Sequence, residues 1–448
     1  MITPSKDQQI AIEKIRDNLS YALDAEIGAG KTLPAAYAVK SLIEEGRVNT
    51  VYILCTPSGR IQWWNKLREY YPESLSSLVV RKGDVNWLRK NYISIIAYSE
   101  IIKIDKETLP RMDREHTMVI VDESHKIKSF KAKCTEATFI LFKKARRKLL
   151  MSGTMIGTGY VDLYAQYKFL GIPGFVPTKD LFYKRYTEYE WKKFGKEPFR
   201  KILAYKNIDH LLNSIRQYSY SFSIDKPHHT STNHLMKVPS ESMAKYEKVI
   251  ASTIIQPTIM NWTKYRPLEE IISIFYRKAQ MALKIYEEFP QPTIVFYNYR
   301  VEKNMLDQQF CNIPHNCIEG GMTPSAKLFN LDNFRDGKSR VLIAQIKTIT
   351  DSVDIQTATR IIFTGPTYSL IDYKQAVGRI SRRGQKYPTS DVMIVVRDSI
   401  DEHIAEILHE RKTNYTGFKA TIRDLARTRF VPVHQKKTNK TQFFTLQN

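Results

Sequence analysis

Nine short apolar runs frame what this 448-residue chain can fold into. They are YALDA at 21–25, VYILCT at 51–56, ISIIAY at 93–98, MVIVD at 118–122, KLLMS at 148–152, TIVFY at 293–297, VLIA at 341–344, RIIFTG at 360–365 and VMIVV at 392–396. Runs this short, rich in β-branched residues and separated by helix-like stretches, suit parallel strands covered on both faces. Five precede residue 153 and four follow residue 292, so two α/β sheets in tandem are expected, as the length also suggests. Between about 160 and 285 strands are hard to find. VDLYAQYKFL and IDHLLNSIRQY have helical spacing there, and the text is rich in Tyr, Phe, Lys and Arg. An aromatic, basic, helical insertion at about 160–225 is therefore expected. Lys226-Pro227 followed by the polar, linker-like HHTSTN marks a boundary, dividing the chain into 1–228 and 229–448.

The first run leads into Ala25-Glu26-Ile27-Gly28-Ala29-Gly30-Lys31-Thr32, a glycine-rich turn opening a helix-like segment. Gly28, Ala29 and Gly30 are small enough for backbone N–H groups to approach phosphates. Lys31 can neutralise the β and γ charges, and the Thr32 hydroxyl can ligate Mg2+. Ala25 stands where the strict phosphate-loop pattern has glycine. The run MVIV ends in Asp122-Glu123-Ser124-His125, placing acids at the C-terminal edge of a sheet. Asp122 would hold Mg2+, and Glu123 would orient and deprotonate the water that attacks ATP in line.

These strings resemble superfamily 2 helicases, and more narrowly their SWI/SNF-like branch. Asp122 to Lys128, followed by Lys131-Ala132, looks like that branch's acidic box with its basic continuation. Thr56-Pro57-Ser58 with Trp64 resembles motif Ia, Ala97 to Glu100 motif Ib, and Ser152-Gly153-Thr154 motif III. Gln8 stands where the family's adenine-reading glutamine is expected. In the second half, Gln375-Ala376-Val377-Gly378-Arg379-Ile380-Ser381-Arg382-Arg383-Gly384-Gln385 resembles motif VI nearly throughout. Arg379 and Arg382 are three apart, on one helical face, and as arginine fingers would stabilise charge on the γ-phosphate. Residues 293–300 resemble motif IV more loosely. Motif V would fall in 347–356, where this chain departs from the family's glycine-rich turn. The resemblance spans residues 8–385 and implies two tandem RecA-like P-loop lobes with ATP and Mg2+ in the cleft between them.

A formal charge of +23 and a pI near 9.6 point to a polyanionic partner. The resemblance lays DNA across both lobes, at Ser58, Trp64, Tyr98 and Ser99 on the first and Asn298, Arg300 and Thr348 on the second. Lys184 to Lys206 combines cations with Tyr186, Tyr189, Trp191, Phe194 and Phe199, a composition able to stack on unpaired bases. A basic tail follows Arg411. No run is long enough to span a membrane and no secretory leader opens the chain, so a monomeric cytoplasmic protein is expected. Cys55, Cys134, Cys311 and Cys317 lack Cys-x-x-Cys pairing, and neither a structural zinc nor a disulfide framework is expected. The resulting reading is an ATP-driven DNA translocase or helicase that remodels forked, branched or recombination-intermediate DNA. The alternatives are an RNA-dependent ATPase, a duplex translocase that displaces bound proteins without separating strands, and a non-catalytic basic scaffold.

Overall fold

A computed structural model describes residues 3–57, 59–69, 93–104, 113–194, 197–223, 227–238, 268–348, 355–367, 369–382 and 384–427. The first lobe is a six-stranded sheet in the order β3-β2-β4-β5-β1-β8. Its strands are β1 (Ser20–Ala25), β2 (Thr50–Cys55), β3 (Ile93–Ala97), β4 (Thr117–Asp122), β5 (Arg147–Ser152) and, after a hairpin of β6 (Thr187–Phe194) and β7 (Glu197–Tyr205), β8 (Ser219–Phe222). Every pairing in the sheet is parallel. Successive residues of one strand serve opposite faces: Leu54 packs with Ala22 and Val121 on one, Ile53 with Leu23 and Ile120 on the other. Burial on both faces explains why these strands read as unbroken apolar runs.

The second lobe repeats the plan in the order β11-β12-β10-β13-β14-β9, again all parallel. Its strands are β9 (His229–Met236), β10 (Thr293–Tyr297), β11 (His315–Ile318), β12 (Val341–Gln345), β13 (Arg360–Phe363) and β14 (Thr389–Val396). The helix Leu370–Ile380 follows β13, and the helix Ile400–Arg427 follows β14. Parallel order sends the C-terminal ends of each sheet's strands to one edge, where α/β proteins bind ligands. In the first lobe β5 alone separates β1, which feeds the phosphate loop, from β4, which ends in Asp122.

Two expectations are corrected. The polar stretch after Pro227 is not a linker: from His229 it pairs along its length with β14 as an edge strand. Asp391 draws it in, accepting from His229 Nε2 at 2.8 Å and Ser231 Oγ at 2.7 Å, so polar residues suit a strand exposed on its outer side. The insertion is not helical throughout either. Helices Lys179–Tyr186 and Ile208–Ile215 flank an antiparallel ribbon, because Thr-Glu-Tyr-Glu-Trp alternates charge and ring with period two. The Phe194 side chain, residues 349–354, Arg383 and the tail from 428 lie outside the described residues.

Candidate active site

The phosphate loop turns at Gly28 (φ +82°) and Gly30 (φ +74°), a backbone conformation that side chains disfavour, and opens the helix Thr32–Glu44. Lys31 precedes that helix without a side-chain cap, and in its first turn Leu33 N donates to the Gly30 carbonyl at 3.1 Å while Pro34 carries no N–H. Gln8 is buried and ties this loop to the helix Lys6–Asp17. Its Oε1 accepts from Ser5 N at 3.0 Å, while its Nε2 donates to the Ala29 and Gly30 carbonyls at 3.3 and 3.4 Å. The carboxamide expected to read adenine is thus engaged at both ends, one on the cap of its own helix and the other on the loop.

At the end of β4, Glu123 adopts φ +50° and starts the 3-10 turn Ser124–Ile127, so adjacent acids diverge. Asp122 Oδ2 accepts from Trp63 Nε1 at 2.9 Å and Oδ1 from Glu123 N at 3.0 Å. Ser152 Oγ reaches Glu123 Oε2 at 3.4 Å and His125 Nδ1 at 3.2 Å, joining the motif III segment to the acidic box. Burial, then the charge of Glu123, pushes the Asp122 carboxyl above the ordinary range, against the pull of Lys31. Burial also raises the Glu123 carboxyl, but Lys31, His125 and Arg379 together outweigh it and hold it low. The Asp122 and Glu123 carboxylates and the Thr32 hydroxyl line the same cavity, an all-oxygen donor set that fits a hard divalent cation.

Lobe 2 closes the cleft. Ile27, Gly28, Gly30, Lys31, Thr32, Thr56, Gly59, Gln62, Asp122, Glu123 and Lys126 from lobe 1, with Gln375, Arg379 and Arg382 from lobe 2, line one cavity of about 170 Å3. The contact is tight: a Cβ on Gly28 would come within 2.7 Å of Arg382 Cβ, and one on Gly157 within 2.5 Å of Ile371 Cδ1. Tyr415, on the helix Ile400–Arg427, donates its hydroxyl to the Gly153 carbonyl in lobe 1. Gln385, at the end of the arginine-bearing segment, is buried and donates to the carbonyls of Gln356, Ala358 and Ile380.

Of the described residues expected to grip nucleic acid, Ser99 and Arg300 are exposed and the others are half-buried or buried. Tyr98 is corrected: its ring is buried and its hydroxyl donates to the Asp122 carbonyl at 2.6 Å, bracing the acidic strand instead of facing outward. Trp64 is half-buried against the lobe 1 core, and its neighbour Trp63, which sequence reasoning passed over, reaches the site. Asn298 Nδ2 is turned inward to the Gly365 and Pro366 carbonyls, and Thr348 Oγ1 donates to Gln345 O. Ser99 and Arg300 are exposed, Arg300 beside Glu319 at 3.8 Å. Ser58 lies outside the described residues.

The phosphate loop, the acidic box and the arginine pair thus meet in one cavity lined by both lobes. Residues 13–286 match the SNF2-related domain and residues 277–384 the helicase conserved C-terminal domain. The chain belongs to the SNF2-related family. It is 23% identical to the uncharacterized ATP-dependent helicase YqhH of Bacillus subtilis, over 91% of this chain and 78% of that protein. It is also 23% identical to human DNA annealing helicase and endonuclease ZRANB3, over 88% of this chain but only 38% of the longer human protein. Among solved structures, the Sulfolobus solfataricus SWI2/SNF2 ATPase core in complex with dsDNA is a distant likeness. Its TM-score is 0.45 at 15% identity, covering 94% of this chain and 93% of that one.

Proposed function

We propose that the chain hydrolyses ATP in the interlobe cavity and uses closure and reopening of the lobes to move along DNA, remodelling forked, branched or recombination-intermediate substrates. The observation that carries this reading is the shared cavity: Lys31, Thr32, Asp122 and Glu123 belong to one lobe, Gln375, Arg379 and Arg382 to the other. A site assembled from two bodies works only when they meet, so whatever draws them together governs turnover.

In this reading Lys31 and the amides of the phosphate loop hold the β- and γ-phosphates, and Glu123 orients the attacking water and takes its proton. Arg379 and Arg382 stabilise charge developing on the γ-phosphate. Asp122 and Thr32 would hold Mg2+, which would supply positive charge against the phosphates. Ser152, bonded to both Glu123 and His125, is placed to transmit movement of the motif III segment to the catalytic acid.

DNA as the partner is supported by the family and by the charge of +23. The ribbon β6–β7 supports branched DNA as the substrate. Arg200 lies over the rings of Tyr183, Tyr189 and Trp191 at 4.8, 5.0 and 4.7 Å and pairs with Asp180, which stiffens an otherwise marginal two-stranded hairpin. Trp191 and Phe199 remain exposed. Displacement of a third strand from triplex DNA tests the movement itself. ATP-dependent displacement in wild type and none in Glu123→Gln is the expected result, and ATP hydrolysis on duplex without displacement would exclude translocation.

A further inference from the structure

Away from the nucleotide cavity, two ligand-type side chains of lobe 2 converge on a carboxylate oxygen of a third. Asp307 is carried by the helix Arg300–Gln309, whereas His315 and Cys317 stand two apart on the edge strand β11 and so share a face. Cys317 Sγ donates to Asp307 Oδ1 at 2.9 Å, and His315 Nε2 lies 3.5 Å from the same atom. All three ligand atoms fall within 4.8 Å of one another. A tetrahedral ion bound at about 2.0–2.3 Å keeps its donors roughly 3–4 Å apart, so the trio needs little movement to close around one.

The surroundings already orient these groups. His315 Nδ1 lies 2.9 Å from the Ile313 carbonyl, which can only accept, so Nδ1 carries a proton and Nε2 faces Asp307. That is how a metal-ligating imidazole is usually held. Lys303 Nζ takes the other carboxylate oxygen, Asp307 Oδ2, at 3.1 Å and leaves Oδ1 to the cluster. An independent sign comes from Tyr297, which is 1% exposed and whose hydroxyl has no hydrogen-bond partner. Tyr297 belongs to the buried core against which Cys317 packs, and a buried hydroxyl without a partner is a place for an ordered water.

We propose that Asp307, His315 and Cys317 bind one zinc-class divalent ion, with water completing the coordination, and so pin the edge strand β11 to the helix that precedes it. Loading releases the thiol proton of Cys317 to solvent, together with any proton on His315 Nε2. The expectation of no structural zinc rested on the absence of paired cysteines. Asp307, His315 and Cys317 form no zinc-finger string, and only the pairing of strand against helix brings them together.

The test uses the full chain, stripped with a chelator and dialysed, then titrated with Co2+ in the absence of nucleotide and Mg2+. One equivalent is expected to develop thiolate-to-cobalt charge-transfer and tetrahedral d–d absorption, both abolished on displacement by Zn2+, and Zn2+ is expected to raise the melting temperature. Cys317→Ser should lose the thiolate band and the thermal shift, His315→Ala should weaken Co2+ binding by about tenfold or more, and Cys311→Ser should keep both signals. No thiolate band in the wild type, or a band that survives Cys317→Ser and disappears in Cys311→Ser, would overturn the assignment.

Discussion

Ile27 of the phosphate loop fills the space that Gly378 of the arginine-bearing helix leaves open: a Cβ on Gly378 would lie 2.5 Å from Ile27 Cγ2 and 3.1 Å from Ile27 Cβ. The same isoleucine crowds Gly153 on its other side, where a Cβ would meet Ile27 Cγ1 at 2.5 Å. One stiff, β-branched side chain thus registers the phosphate loop, the motif III segment and the arginines together. Gly378→Ala is expected to hold the lobes apart by overpacking, costing about 1–3 kcal/mol of closure, or about 5- to 150-fold in stimulated ATPase. Ile27→Ala in the same chain should restore much of the rate. Stimulated turnover in Gly378→Ala equal to wild type would show that this contact does not set closure.

Lys31→Ala and Glu123→Gln should fail differently. The first removes neutralisation of the phosphates and is expected to abolish nucleotide binding or hydrolysis. The second retains the cradle and loses only the group that activates water, so ATP stays bound while turnover drops by about 10²- to 10⁴-fold. Fluorescent-nucleotide binding alongside phosphate release separates the two, and near-wild-type hydrolysis in both would move catalysis elsewhere.

Arg382→Ala should abolish stimulation by nucleic acid, at a cost of about a thousandfold or more in the stimulated rate, while altering ATP affinity little. Tyr415→Phe probes the strut beside it, because only the hydroxyl bonded to Gly153 is lost. A partial loss of stimulation with unchanged basal rate is expected. An equal fall in basal and stimulated rates would assign Tyr415 to folding instead.

The acid limb of the ATPase should reflect Asp122. Burial, with Glu123 beside it, raises its carboxyl above the usual range, so the ionised form that holds a cation is lost at a higher pH than for an exposed aspartate. Activity is therefore expected to fall early on acidification, and more Mg2+ should shift the limb to lower pH. A limb that ignores Mg2+ would detach it from Asp122.

Trp191→Ala with Phe199→Ala should weaken processing of branched DNA while leaving duplex-stimulated ATPase nearly unchanged, since both rings are exposed, with only a small fall in melting temperature from loss of the Trp191–Arg200 contact. Stacking is worth about 1–3 kcal/mol per base, enough for a clear loss of junction affinity. Early melting with every activity falling in parallel would make the ribbon structural.

What the sequence made legible was local. The phosphate loop, the acidic box and the arginine pair are contiguous strings whose chemistry depends on neighbours a few residues away, and the core strands announce themselves because parallel sheets bury both faces. What stayed hidden depends on distant partners. Nothing local separates Trp63, bonded to Asp122, from Trp64 against the core, or turns the Tyr98 hydroxyl inward to a carbonyl 24 residues on. The stretch HHTSTN at 228–233 read as a linker because its strand character comes from β14 and Asp391, and the ribbon's alternation was outweighed by the helical spacing on either side.

The central claim is that nucleic acid governs turnover by drawing the arginines of one lobe against the phosphates held by the other. Its most direct test is the steady-state ATPase rate of the full chain without nucleic acid and with single-stranded DNA, duplex DNA, branched DNA and RNA. Strong stimulation by DNA, greatest on branched molecules and lost in Arg382→Ala, is the predicted result; a rate indifferent to every nucleic acid offered would contradict it.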